Sequence, residues 1–416
     1  MLDTAHLRDL LSQVPQDVSP WPELLRTRLA AMDSRTIILT MVVGLVVWNL
    51  MSQIKKARKA SRHGRTLDAP DFPPVEPLED FDWKTTEPLK FRPFKPKYHL
   101  TMALETLHPS ELIPMDKTYK ERIALRRALL KEHHDVVVAV NNDSDKRVRA
   151  AVCELYTFLM GTYLPGRYPT MFKLHHAEYE TGKAVMLQNL VTRELWPVEL
   201  SPEAPTIRAL ETLIKVVDED ILILLPEQEN NQKEKQGGKA DGDTKYILEA
   251  YATCFPSGFD TRTKLGRRLA EIHEPVPGYH EKLEKSMDRF FEKLEVGRYV
   301  KRVNWSITTD AELFAAFGSV HGGEGEKLEA IKPEELNVDK TFLRCERQTL
   351  HRLPSSKALV FAFHTYTYPI KEIKEEGLGE ELAQAIDGLK EGSVPQIHFY
   401  KRGPVWGEAV KAFLRS

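Results

Sequence analysis

The sequence has few cysteines and no excess of charge of either sign. Its three cysteines, Cys153, Cys254 and Cys345, lie far apart and form no Cys-x-x-Cys pair. This argues against a disulfide framework and a structural zinc site, and it favours a reducing compartment. The formal net charge is −2, without the basic excess that nucleic-acid binders carry, so we expect no nucleic-acid partner.

Several common catalytic motifs are also missing from the sequence. It contains no Gly-x-x-x-x-Gly-Lys-Ser/Thr phosphate loop, no Gly-x-Ser-x-Gly elbow and no His-Glu-x-x-His pair. Each of these motifs places specific groups for phosphate binding, acyl transfer or zinc-dependent hydrolysis. Their absence removes those classes as first hypotheses and directs attention to less common chemistry.

One long apolar run is present. Residues 36–54 read TIILTMVVGLVVWNLMSQI, enough for a helix of roughly 28 Å, close to the thickness of a bilayer core. Basic residues follow directly within 55–65, which places that flank on the cytosolic side. The pattern predicts a single-pass membrane protein with residues 1–35 non-cytosolic, a transmembrane helix at 36–54 that contacts the lipid bilayer, and a cytosolic C-terminal domain. Endoplasmic reticulum is the default membrane for such a span.

The remainder of the chain divides by composition. Residues 55–89 are basic and rich in proline, which predicts an extended tether. Residues 90–416 have the composition of one globular domain, and within them residues 227–245 are polar and without period, as expected for a disordered surface insertion.

Hydrophobic periodicity predicts an α+β domain built on an antiparallel sheet with flanking helices. Helical spacing covers 119–133, 147–159, 261–273, 281–295 and a C-terminal stretch from about 376. Alternation predicts strands at 246–256, 299–307, 342–353 and 357–368, the last two as an antiparallel pair joined through PSSK.

A histidine stands at a stiff corner of the chain. In RLAEIHEPVPGYHEKL, residues 268–283, His273 ends a helical pattern and is followed by Pro275 and Pro277. The residue either marks a helix end or is held by the prolines as a ligand. His364, in the middle of a predicted strand, is the competing candidate.

Arginines occupy both faces of one predicted strand. In LRCERQTLHRLP, residues 343–354, Arg344, Glu346 and Arg352 share one face and Arg347 lies on the other. Such a strand does not fit a purely apolar sandwich. It either forms a lattice of ion pairs or provides an anion site, because arginine forks suit carboxylate and phosphate groups. Arg302, beside Asn304 and Trp305, marks a further polar stretch.

These stretches carry a resemblance to a known family. IHEPVPGY, VKRVNWSI and LRCERQTLHRLPSSKALVFAFHTYTYPI, with PFKPKYHLTMALETL and YLPGRYPTMF earlier in the chain, resemble the haem-dependent oxidative N-demethylase alpha-subunit-like family, whose fungal members are called HRQ family proteins. The resemblance covers about 90–416. It implies a PAS-like α+β core, b-type haem, and monooxygenase chemistry on a small amine or related organic substrate. Electrons would come from a separate reductase carrying flavin and an iron–sulfur cluster.

Site roles follow from the resemblance for particular residues. It makes His273 the candidate axial haem ligand and metal-binding residue, with His364 in reserve. The candidates for contacts with the haem propionates are Arg302, Arg344, Arg347 and Arg352. Glu346 and Tyr366 become candidates for pocket polarity or catalytic proton delivery. Two rival hypotheses remain: a haem or ligand sensor without turnover, and a membrane-tethered scaffold without haem.

Overall fold

The computed structural model describes residues 43–49, 51, 65–179, 182–228, 244–310, 312–316, 321–322 and 326–416. Residues 1–35, most of the predicted span at 36–54 and most of the predicted insertion at 227–245 lie outside these ranges. Within the span, residues 43–49 are helical and exposed. Among the residues described, no helix combines the length and the apolar character needed to cross a bilayer. The chain divides into two compact units, Met1–Gly64 and Arg65–Ser416.

The second unit alternates helices and strands. The strands are β1 (Glu105–Leu107), β2 (Val138–Val140), β3 (Phe172–Tyr179), β4 (Gly182–Asn189), β5 (Glu194–Pro197), β6 (Asp220–Pro226), β7 (Tyr246–Ala252), β8 (Tyr299–Thr308), β9 (Phe342–Arg352) and β10 (Leu359–Pro369). The helices are α1 (Tyr119–Glu132), α2 (His134–Val137), α3 (Lys146–Thr157), α4 (Leu164–Arg167), α5 (Ile207–Val216), α6 (Leu269–Ile272), α7 (Tyr279–Lys282), α8 (Glu284–Lys293), α9 (Ile370–Glu375), α10 (Gly379–Glu391), α11 (Ile397–Tyr400) and α12 (Gly403–Arg415).

A seven-stranded antiparallel sheet organises this unit. Its strand order is β1-β8-β9-β10-β6-β7-β2, and β3, β4 and β5 form a separate three-stranded sheet. The predicted pairing of the two strands around PSSK is confirmed, with Arg347 opposite His364. The α+β class with a large antiparallel sheet and flanking helices is therefore confirmed.

The two faces of the large sheet belong to different apolar cores. Helices α1, α3 and α5 pack together on one side, and α5 also packs against β2 and β7. Val360 and Ala362 of β10 point into this core. Leu359 belongs to the second core, which includes Met287 and Phe291 of α8. Because side chains alternate along a strand, each strand supplies both cores at once.

The proline-rich segment differs from its prediction. We call residues 65–104 the strap. Its backbone is extended, but it packs along the domain instead of forming a free tether. Leu67 donates its N–H to the Gly161 carbonyl at 2.8 Å, and the Phe72 ring stacks on Phe158 at 3.8 Å. The apolar side chains between the prolines bind the strap to the first core, so the compact unit begins at Arg65 and not near residue 90.

The helix predicted at 261–273 is broken in the structure. Gly266 has a positive φ of 75°, which a helix does not accommodate. Its N–H donates to the Leu248 carbonyl at 2.8 Å, and the Leu248 N–H donates to Arg267 at 3.1 Å. Pairing with β7 thus replaces the middle of the predicted helix. Thr261–Lys264 forms a short 3-10 turn before it, and Leu269–Ile272 forms the helical turn that ends at His273.

Candidate functional site

A cavity of about 600 Å³ lies against the second core face of the sheet. It is lined by strands β6 to β10, helices α6, α7, α8 and α11, and the end of the strap. Its volume falls within the roughly 300–1,000 Å³ of pockets that enclose small ligands. Most of the wall is apolar: Leu222, Leu224, Leu248, Leu269, Leu283, Met287, Phe291, Val300, Leu350, Phe361 and Phe363.

Strand register places a polar cluster on this apolar wall. Arg302 of β8 lies opposite Gln348 of β9, and Asn304 lies opposite Glu346. Directly opposed residues of antiparallel strands share a face, so these side chains point the same way. We call Arg302, Asn304, Arg344, Glu346 and Lys401 the polar cluster; all five line the cavity.

Arg302 is the cation of this cluster without a partner. Its guanidinium makes no hydrogen bond or ion pair with any residue that the structure describes, and its Nε is buried. Burial lowers the pKa of Arg302, opposed by the nearby Tyr98 and Glu346. An unpaired buried cation is costly unless an anion joins it. The side chain is therefore suited to bind an anionic group in the cavity.

Lys401 is a second cation beside Arg302. It is 4% exposed, and its Nζ donates to Asn304 Oδ1 at 3.1 Å and to the Trp305 carbonyl. Burial, together with repulsion from Arg302, lowers the pKa of Lys401 to about 8. The ammonium group therefore remains mainly charged at neutral pH but titrates within an experimentally accessible range.

Arg344 holds loops of the chain against the sheet. Its Nη2 donates to the carbonyl oxygens of Phe255 at 2.9 Å and Leu313 at 3.1 Å, and its Nη1 donates to Glu312 at 3.2 Å. These donors are already used in hydrogen bonds to backbone carbonyl oxygens of the chain. Arg344 therefore contributes charge and structure to the cavity and is less free than Arg302 to bind a ligand.

Glu346 is the carboxylic acid of the cluster. It is 7% exposed, and its Oε2 accepts from Gln348 Nε2 at 3.0 Å. Its Oε1 is buried and has no hydrogen-bond partner within the described part of the chain. Burial raises the pKa of Glu346, and the charge of Arg344 opposes that shift. A buried acid with a free oxygen beside a cavity can exchange a proton with a ligand.

His273 lies on the cavity wall in one tautomer. Its Nδ1 is 2.8 Å from the carbonyl oxygen of Leu269, one turn earlier in the chain. Because a carbonyl only accepts, Nδ1 carries the proton and Nε2 of the neutral ring has a free lone pair. Burial lowers the pKa of His273, which keeps the ring neutral, and Tyr279 stacks on it at 4.8 Å. A histidine that ligates a metal is commonly oriented in this way.

His321 also lines the cavity and was not found from the sequence. Its ring stacks on Tyr400 with centroids 4.3 Å apart, and burial lowers the pKa of His321 to about 4. Its neighbour Gly322 donates an N–H to the Tyr400 carbonyl at 2.9 Å. A second neutral imidazole therefore faces the same space as His273.

Two of the predicted arginines lie elsewhere. Arg347 is on the other face of β9 and donates to the carbonyls of Leu112 at 3.1 Å and Glu111 at 2.5 Å. Arg352 donates to the carbonyls of Leu294 at 2.6 Å and Lys357 at 2.8 Å. Neither lines the cavity, since both guanidinium groups hold backbone segments together. Their predicted contacts with propionates do not fit these positions.

His364 and Tyr366 also lie outside the cavity lining. His364 is 3% exposed, with Nε2 3.7 Å from Asp218 and Nδ1 3.6 Å from Glu219. The Tyr366 ring lies 4.5 Å from the His364 ring, and burial raises the pKa of Tyr366 well above its usual value. These residues form a separate group of buried polar side chains away from the cavity. The predicted roles of His364 as reserve ligand and of Tyr366 as catalytic group therefore do not fit their positions.

The geometry agrees with one comparison to known proteins. The model of the haem-dependent oxidative N-demethylase, alpha subunit-like family matches residues 103–411, which include most of the cavity wall. His273, Arg302, Arg344, Glu346 and Lys401 all lie within the match. The chain belongs to the haem-dependent oxidative N-demethylase, alpha subunit-like family.

Proposed function

We propose that the cavity binds haem and that His273 is its axial ligand. The observation that carries the proposal is the Nδ1 to Leu269 hydrogen bond of 2.8 Å, which leaves Nε2 as the basic nitrogen of a neutral ring on the wall of an apolar cavity. An axial imidazole needs this tautomer, and a bond from Nδ1 to a carbonyl raises its basicity. This tautomer is the one in which His273 would bind iron through Nε2.

The polar cluster fits the carboxylate groups of haem. The cluster contains three basic side chains, Arg302, Arg344 and Lys401, and one carboxyl group, Glu346. The cluster is therefore cationic, while most of the remaining wall is apolar. Haem likewise has an apolar part, its ring, and an anionic part, its two propionates. Arg302 would hold a propionate with donors that the protein leaves unused, and Lys401 would add a second charge nearby.

The haem in this proposal is b-type, held without covalent attachment. Covalent attachment of c-type haem uses a Cys-x-x-Cys-His sequence, and none is present. Cys153, Cys254 and Cys345 do not line the cavity, so a thiolate ligand has no candidate there. Histidine is the ligand type that the wall offers.

We further propose that the protein is an oxidoreductase that removes a methyl group oxidatively from a small amine or related organic molecule. Bound haem would supply the activation of dioxygen for such an oxidation. Within the chain, the Leu and Phe wall would exclude water, and Glu346 would hold or deliver a proton through its unpaired Oε1. We also propose that the sheet corresponds to the PAS-like core of the family.

Electrons would have to come from another protein. The sequence contains neither a Gly-x-G-x-x-G fingerprint after a strand nor the cysteine spacing of a ferredoxin. A separate reductase with flavin and an iron–sulfur cluster meets this need. Reconstitution with haem, a reductase and methylated amines tests the activity by formaldehyde release. Haem binding without formaldehyde over a panel of amines would favour the sensor hypothesis.

The membrane location remains a proposal based on sequence. The apolar run at 36–54 and its basic flank support a single span with the domain from Arg65 onward in the cytosol, and endoplasmic reticulum as the membrane. Protease treatment of sealed microsomes tests this topology. Degradation of the domain is expected, and its protection would contradict the orientation.

A further inference from the structure

The strap forms part of the cavity wall. Tyr98, Leu100, Met102 and Leu104 all line the cavity, although the family match begins only at residue 103. Tyr98, Leu100 and Met102, which precede the matched region, therefore complete the wall. The strap is more than a connection to the N-terminal segment, because the shape of the cavity depends on where it runs.

The strap crosses helix α10 and the residues after it at very short range. Tyr98 donates its N–H to the Gly388 carbonyl at 3.1 Å, and its own carbonyl accepts from Ser393 N–H at 3.1 Å. A Cβ on Gly392 would lie 1.6 Å from the Tyr98 carbonyl oxygen, and one on Gly388 would lie 2.3 Å from the Pro96 oxygen. Only glycine permits such close backbone contact, so these crossings fix the position of Tyr98.

A second set of contacts holds the strap further upstream. Arg92 donates to Glu376 through Nε at 2.7 Å and through Nη2 at 2.8 Å, and its guanidinium lies 4.5 Å from the centre of the Tyr368 ring. Tyr368 in turn accepts from the Phe91 N–H at 3.1 Å. The strap is thus fixed both before and at the cavity.

Tyr98 brings a donor to the polar cluster. Its ring lies 5.6 Å from Lys401 Nζ. Burial raises the pKa of Tyr98, and the charge of Arg302, which lines the same cavity, opposes that shift. The Tyr98 hydroxyl has no hydrogen-bond partner in the described ranges. A protonated phenol beside Lys401 can donate a hydrogen bond to an anion that the cations attract.

We propose that Tyr98 is a further ligand-binding residue, which donates a hydrogen bond from its hydroxyl to the carboxylate held by Arg302 and Lys401. The strap, fixed at Gly388 and Gly392, positions it. The identity of the ligand as haem rests on the proposed function, but the carboxylate site and the role of the strap do not.

Two variants test the two parts of this inference. Tyr98→Phe removes the hydroxyl and keeps the ring, and haem transfer from the holoprotein to excess apomyoglobin is expected to become about tenfold faster or more, the factor for a lost hydrogen bond to a charged group. Gly392→Ala displaces the strap and is expected to speed both haem transfer and hydrogen exchange of amides 98–104 in the haem-free protein. Gly407→Ala is the matched control, because its Cβ would meet neighbours only at 3.6 Å and beyond.

A probe other than haem separates this inference from the proposed function. cis-Parinaric acid joins a carboxylate to an apolar chain, so the polar cluster and the apolar wall should both bind it. If the wild-type protein binds parinarate but no haem, the proposed function fails, while weaker parinarate binding by Tyr98→Phe still supports the inference. Unchanged ligand release in Tyr98→Phe, unchanged exchange in Gly392→Ala, or wild-type binding of neither probe would overturn it.

Discussion

Nδ1 of His273 donates to the carbonyl oxygen of Leu269 across 2.8 Å. The bond is possible because Leu269–Ile272 forms a single helical turn that ends at His273, so the imidazole folds back on the first carbonyl of that turn. Pro275 and Pro277 then restrict the chain that follows. The corner holds one tautomer and one ring orientation, as a metal ligand requires.

Replacement of His273 is expected to change the haem spectrum. His273→Ala removes the nitrogen that is proposed to bind iron, so the Soret band of the reconstituted protein should shift or disappear. His280→Ala is the matched control, because His280 lies in the same segment, is exposed and pairs with Glu284. His364→Ala should leave the band in place, since His364 does not line the cavity. A shift in that variant and none in His273→Ala would transfer the assignment to His364.

Replacement of Arg302 is expected to have opposite effects on stability and binding. Arg302→Gln removes a partly buried cation that has no partner among the residues that the structure describes, so the haem-free protein should unfold at a higher temperature. Haem affinity should fall by about 10- to 150-fold, the equivalent of the ~1.5–3 kcal/mol of a hydrogen bond to a charged group. Calorimetry of the haem-free protein and haem titration measure the two effects.

Arg298→Gln serves as the control for Arg302→Gln. Arg298 is exposed and precedes the same strand, so its replacement should alter neither quantity. A fall in stability together with unchanged haem affinity in Arg302→Gln would mean that the guanidinium has a structural role instead.

Lys401 is expected to make haem affinity depend on pH. Its pKa is about 8 in the haem-free protein, and a bound carboxylate would raise it. Affinity should therefore fall as the pH rises above about 8, because the free protein gives up the proton that the complex retains. Haem titrations from pH 7 to 10 should show this decline in the wild type and a flatter profile in Lys401→Met. Equal slopes would exclude Lys401 as the source.

The lowered pKa of Lys401 also predicts how stability changes. Between about 8 and the ordinary lysine value near 10.5, the unfolded chain binds the proton and the folded chain does not. Stability of the haem-free protein should therefore increase with pH across this window. Urea unfolding at several pH values measures the slope, and Lys401→Met should remove its contribution.

Glu346 is expected to destabilise the fold as it ionises. Burial raises the pKa of Glu346 above its usual 4.5, so its favourable contribution is complete below that value and is lost as the pH rises through the raised pKa. The glutamine side chain of Glu346→Gln cannot ionise. As the pH rises through the pKa of Glu346, the stability of this variant should therefore increase relative to that of the wild type. Glu281→Gln, at an exposed position, should show no such change. A pH-independent difference for Glu346→Gln would contradict the raised pKa.

Local pattern predicted four of the ten strands that the structure describes, β7 to β10, but not the use of their side chains. Alternation placed Arg344 and Arg347 on opposite faces of β9, and the structure agrees. It could not indicate that Arg347 and Arg352 donate to carbonyls far away in sequence, because those partners meet only in the folded chain. The same limit left His364 as an open alternative to His273.

Other residues of the site were not predicted, because no local sequence pattern distinguishes them. Lys401 and Tyr98 reach the polar cluster from the two ends of the domain. Tyr98 lies in PFKPKYHLTMALETL, one of the stretches that carry the family resemblance, but no local pattern there indicates that the tyrosine lines a cavity. The prolines within 55–89 predict a tether, but Leu67, Phe72 and Trp83, which lie in the same segment, pack on the first core. The apolar residues recur at regular intervals between the prolines, and this regularity is the signal in the sequence that indicates a segment packed on the domain.

Haem stoichiometry in the purified protein is the most direct test of the central claim. The full-length protein and His273→Ala are reconstituted with haemin, freed of excess, and assayed by pyridine haemochrome together with the absorption spectrum. We predict one haem per chain in the wild type and a lost or altered Soret band in His273→Ala. A wild-type protein that retains no haem, or a variant with the wild-type spectrum and haem content, would contradict the assignment of the cavity and of its ligand.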